Sequence, residues 1–174
     1  MKTKLIISSL FISSVFMPLA HADDGHVKFT GSVIADACKI DSNSKNQTVT
    51  MGTVSAQTLL EGNRTAAATK FSIKLTGCPE SIKHAKVKFD GSTDPVNKNL
   101  LALDKLDKKV ASGVAIGIYE NDGNTLIPMA THSKMKDIQN NATELDFIAK
   151  YVATMQEVQP GPANAVANFT IVYN

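Results

Sequence analysis

Two cysteines, Cys38 and Cys78, are the residues of this 174-residue chain best suited to do chemistry, and that chemistry is oxidation to one disulfide. Closing a loop of about 40 residues would restrict the unfolded chain by roughly 4 kcal/mol. The competing reading, free or metal-bound thiols, lacks CxxC spacing and neighbouring histidines. The other reactive side chains are dispersed. His26, His84 and His132 show no HxxxH spacing, and the sequence contains no GxSxG, P-loop or GxGxxG. Carboxylates stand singly at Asp90, Asp94, Asp104, Asp107, Glu120 and Asp122, with no pairing that would support acid–base work. No catalytic, metal or cofactor-binding residue is expected, so the chain is read as a non-enzyme. A small secreted hydrolase would need catalytic groups to converge in space without any motif.

A disulfide requires an oxidising compartment, and the first 22 residues point to one. Lys2 and Lys4 precede an apolar stretch over residues 5–19, and Ala20-His21-Ala22 is a small-x-small cleavage site. Residues 1–22 are read as a signal peptide removed before Asp23, so that 152 of the 174 residues remain, enough for one domain. No second apolar run occurs, and the mature chain is read as exported and not inserted in a membrane. The leader carries two of the 18 Lys and Arg residues and none of the 16 Asp and Glu residues, leaving 16 of each sign. A chain without surplus positive charge has no electrostatic footprint for nucleic acid.

Period-two alternation dominates the mature sequence, and helical periodicity is weak. Strands are expected over residues 27–38, 48–54, 70–78, 85–90, 113–120, 125–129, 145–154 and 163–174, all rich in Val, Ile, Phe or Thr. Asn121-Asp122-Gly123-Asn124 reads as a turn, and Pro160-Gly161-Pro162 marks a bend before the last strand. Residues 96–110 read as a connection tucked against the core by Leu100, Leu101, Leu103 and Leu106. Short strands at this spacing indicate an all-β sandwich.

Both ends are written as strands. Gly25, Val27, Phe29 and Gly31 share one parity, and Ala165, Ala167, Phe169, Ile171 and Tyr173 share another at the C-terminus. A terminal strand left uncovered offers unpaired N–H and C=O groups to another chain.

Four segments together resemble the pilin subunits of chaperone–usher fimbriae, and are most similar to type 1-like major pilins. They are Gly25-x-Val27-x-Phe29-x-Gly31-x-Val33 leading to Ala37-Cys38; Leu75-Thr76-Gly77-Cys78; Leu101-Ala102-Leu103 followed by residues 111–118 (ASGVAIGI); and the run from Gly161 to Asn174 with Tyr173 second from the end. The resemblance implies an incomplete immunoglobulin-like β-sandwich lacking its last strand, with a Cys38–Cys78 disulfide between the first and third strands. It implies a donor-strand extension at residues 23–31, with Gly25, Val27, Phe29 and Gly31 inserting into a neighbour, and a domain over residues 32–174. Ala165, Ala167, Phe169, Ile171 and Tyr173 would line the groove and bind the chaperone. The implied partners are other pilin subunits, a periplasmic chaperone and an outer-membrane usher, and the implied destination is the cell-surface fimbria, supporting adhesion. The alternative is a monomeric immunoglobulin-like binding module whose own N-terminal strand fills its groove.

Overall fold

The computed structural model describes residues 25–61, 64–105 and 109–174. The expected signal peptide lies outside the described residues, as does Leu106. Two units are distinguished, Met1–Val33 and Ile34–Asn174. In the first, residues 25–33 form neither strand nor helix, and every side chain is exposed.

The second unit is a sandwich of two antiparallel sheets. Its elements are β1 (Lys39–Ile40), α1 (Ser42–Lys45), α2 (Ala56–Glu61), β2 (Thr65–Thr76), β3 (His84–Asp90), β4 (Val114–Glu120), β5 (Lys136–Asp137), β6 (Thr143–Ala153) and β7 (Asn168–Tyr173). One sheet has the order β1-β2-β6-β4, the other β5-β3-β7. Alternate residues of β3 and β6 face inward, as the pleat requires. Leu145, Phe147, Ala149, Tyr151 and Ala153 of β6 are buried, as are Ala85, Val87 and Phe89 of β3 in the opposite sheet. Phe71, Phe89 and Phe147 meet at the centre, the buried Phe89 and Phe147 edge to face with centroids 5.1 Å apart. That geometry suits the aromatic quadrupole and contributes beyond the area buried.

The disulfide ties the sandwich at one end. Cys38 and Cys78 are bonded, and both are buried. The bridge joins the residue before β1 to the segment leaving β2, not a first strand to a third. The reason is that residues 48–54, expected as an intervening strand, form none; Val49, Met51 and Val54 instead lean on the core as an irregular connection. The expected strand over residues 27–38 is likewise not formed, because an isolated strand finds no ladder partner to hold it extended. Residues 125–129 form no regular strand but lie along β4 through the Tyr119–Leu126 bridge, the Ile127 N–H to Ile118 carbonyl bond of 2.8 Å and the Glu120 N–H to Thr125 carbonyl bond of 2.9 Å. Leu100, Leu101 and Leu103 are buried as expected, and Leu101 extends the β4 edge by bridging Ile116.

Two bends are fixed by polar side chains. Asp41 caps α1, its carboxylate accepting the Asn43 N–H at 3.0 Å, while the buried Ser44 hydroxyl accepts the Lys74 N–H. At the turn after β4, the Asp122 carboxylate accepts the N–H groups of Asn124 and Thr125 at 2.8 and 2.7 Å and the Thr125 hydroxyl at 2.7 Å. The Thr125 hydroxyl first, then these N–H groups and Lys134, hold the Asp122 carboxyl well below the usual carboxylate range. A carboxyl depressed by folding adds stability above its unfolded pKa of about 3.9, and that gain fades as pH falls through the lower folded value. Asp122→Ala is therefore expected to lower the melting temperature at pH 7 and pH 5 by a few degrees, the gap from wild type narrowing below pH 4. Thermal melts across that range check it.

Candidate functional site

The C-terminal strand stands at the end of its sheet. β7 pairs with β3 along its whole length, with Phe169 opposite Phe89, Ile171 opposite Val87 and Tyr173 opposite Ala85. No described strand pairs its other edge. The consequence shows in burial. Ala85, Val87 and Phe89 are at most 3% exposed. Their β7 neighbours Phe169, Ile171 and Tyr173 pack on the same core yet stay half-buried, as do Ala163, Ala165 and Ala167 before them. Six consecutive odd-numbered positions thus present apolar surface that is only partly covered among the described residues.

The segment leading into β7 is held by backbone contacts. Ala111 N–H reaches Pro162 carbonyl at 3.0 Å, Asp104 N–H reaches Asn164 carbonyl at 2.8 Å, and Ser112 bridges Gln159. A side chain at Gly161 would collide with the backbone of residues 109–111, so the crossing demands glycine there. From residue 158 to Asn174 the chain carries no charged side chain. An edge that, among the described residues, has no charge, bulge or paired strand is the kind that accepts a further strand.

At the other end of β7, burial pushes the Tyr173 phenol above its ordinary value, and the nearby Cys38 backbone N–H opposes that rise. The disulfide and the penultimate residue are thereby neighbours, a link that neither residue's local sequence announces. Tyr151 and Tyr119 are raised by burial as well.

The sequence-predicted residues fall into three groups. Cys38 and Cys78 are joined. Ala165, Ala167, Phe169, Ile171 and Tyr173 share the inward, half-open face of the terminal strand. Val27 and Phe29 are 79% and 91% exposed, with Gly25 and Gly31 exposed between and beside them. Val33, fully exposed, continues their parity and lengthens the uncovered apolar row. Among the described residues, no group of three or more His, Cys, Asp or Glu side chains could hold a metal ion.

A two-sheet antiparallel sandwich with a bare apolar edge defines an immunoglobulin-like fold that lacks a strand. The profile of the family described as Fimbrial protein matches residues 27–174. The probable major fimbrial subunit LpfA of Escherichia coli O157:H7 is 32% identical, over 99% of this chain and 96% of its own length. The type 1 fimbrial subunit of Salmonella typhimurium is 36% identical, over 86% and 82%. Among solved structures, the P pilus rod subunit PapA shares the fold, with a TM-score of 0.66 at 19% identity over 80% of this chain and all of PapA. A type I fimbria protein of Burkholderia pseudomallei gives a TM-score of 0.59 at 34% identity, over 83% and 94%. The chain belongs to the fimbrial protein family: it is a structural fimbrial subunit with an immunoglobulin-like pilin fold.

Proposed function

We propose that this subunit polymerises by donor-strand exchange on the chaperone–usher route, its residues 23–31 completing the sheet of the next copy beside β7. The observation that carries the reading is complementarity between two uncovered surfaces. One is a separate, exposed segment with Val27 and Phe29 on one parity. The other is an uncharged strand edge whose inward face is apolar and half-open. A strand added there gains main-chain hydrogen bonds from the free edge and specificity from alternate side chains entering the gap between sheets. Each large apolar side chain so covered contributes roughly 1.5–3 kcal/mol. Gly25 and Gly31, without side chains, suit places where the incoming backbone approaches the core closely.

Before assembly the same edge needs a temporary occupant, which is the role of a periplasmic chaperone holding Ala165, Ala167, Phe169, Ile171 and Tyr173. The usher at the outer membrane then exchanges chaperone for donor segment, and the product is a surface fimbria that supports adhesion.

The test is capture and displacement. The subunit co-expressed with a periplasmic chaperone is expected to purify as a one-to-one complex, and a synthetic peptide of residues 23–33 to displace the chaperone and remain bound. A subunit that purifies alone as a stable monomer and ignores the peptide would overturn the reading in favour of a self-complemented module.

A further inference from the structure

The sheet β5-β3-β7 has two terminal strands, and they are built in opposite ways. β7 keeps one register with β3 from Asn168 to Tyr173 and bears no charge. On the other flank, residues 130–138 run beside β3 as a strap, of which only Lys136 and Asp137 form regular strand.

The strap is bent out of the ladder by a bulge. His132 lies opposite Lys88 and Lys136 lies opposite Ala85, so residues 133–135 of the strap span only residues 86 and 87 of β3. Ser133, 6% exposed, occupies the bend. Its N–H donates to the Val87 carbonyl at 2.7 Å, and its hydroxyl accepts the Val87 N–H at 2.9 Å. One serine thus satisfies both main-chain groups of Val87, and the Lys134 N–H turns away to the Glu120 carboxylate at 2.6 Å.

Charges then pin the strap from three sides. Lys134 Nζ lies 3.3 Å from the Asp122 carboxylate in the turn after β4, and Lys136 Nζ lies 2.9 Å from Asp146 of β6. Asp137 meets His84 Nδ1 of β3 at 2.8 Å. Met135, 45% exposed, is the one large exposed apolar side chain described on the strap, and it sits in the bulge.

We infer that the β5 edge is built to refuse a second copy of this chain, so that strand addition to this sheet is confined to β7 and assembly stays unbranched. An arriving strand would meet a kinked backbone and would have to strip Lys136 and Asp137 of water and partners. Bulges and charges are the means by which sheet edges escape unwanted pairing. At β7 both are missing, and at the strap both are present within a few residues.

The inference rests on the donor-strand reading for what fills β7, and its test separates the two. The variant Lys136→Val/Asp137→Val and the wild type are each prepared with the synthetic peptide of residues 23–33 bound, both copies carrying Phe29→Asp so that neither can donate. Size-exclusion chromatography with light scattering reads the result. The wild-type strap is expected to stay monomeric, and the variant to shift to larger species with an infrared signature of intermolecular strands. A variant that melts cooperatively and elutes as the wild type does would overturn the inference. Lys136→Thr alone serves as the milder change, expected to produce the same shift at higher protein concentration. Failure of the peptide to bind either protein counts against the donor-strand reading, while the difference between the two straps still decides this one.

Discussion

Phe29→Asp is expected to abolish fibre formation while leaving the subunit as stable as wild type. Phe29 is 91% exposed, so replacing it removes no packing from the chain that carries it. In the neighbour's groove that the proposed exchange would fill, the balance reverses. The burial of a phenyl ring, worth roughly 1.5–3 kcal/mol, is lost, and a carboxylate must instead be desolvated or protonated against apolar side chains. Together these amount to about 4 kcal/mol or more, close to a thousandfold in affinity for the step repeated at every junction. Fibre yield on electron micrographs, set beside the melting temperature of the chaperone-bound subunit, checks both halves of the expectation. Normal fibres from the variant would show that this segment does not donate.

What the sequence revealed depended on how local the determining signal is. Residues 145–153 alternate so regularly that β6 follows from period alone, and the same holds for β3 and for the inward parity of β7. The candidate edge was legible for that reason: Phe169, Ile171 and Tyr173 declare their common face within six residues. The strap was not. Its alternation is broken by the Ser133 bulge, and its position comes from partners on β3, β4 and β6 that lie far away in sequence. Residues 48–54 misled in the opposite direction. Val49, Met51 and Val54 carry strand-like spacing, yet they pack on the core without a ladder, since period two reports a burial pattern and not the presence of a hydrogen-bonding neighbour. The one-turn α1 was missed because the residues that favour it, Asp41 and Ser44, are equally at home in turns.

Removal of residues 169–174 is expected to leave no folded subunit, and its steady-state level in the periplasm should fall to near zero. The truncation deletes nearly all of β7, and with it the ladder that pairs Phe169, Thr170, Ile171, Val172 and Tyr173 with β3. Ala85, Val87 and Phe89, now almost fully buried, would lose the side chains beside them. Deleting three large apolar groups costs on the order of 2 kcal/mol or more each, which with the lost ladder approaches the 5–15 kcal/mol that a domain has in total. On the proposed route the chaperone's grip would go with the strand, so neither folding alone nor capture could rescue the chain. Phe169→Ala separates the two effects, because it keeps the backbone edge while opening a cavity beside Phe89. It should lower the stability of the chaperone complex yet still yield one, read as a reduced melting temperature of an intact one-to-one species. Wild-type abundance of the truncated chain would mean that β3 can end its sheet unaided, and β7 would then be no more than a covering for it.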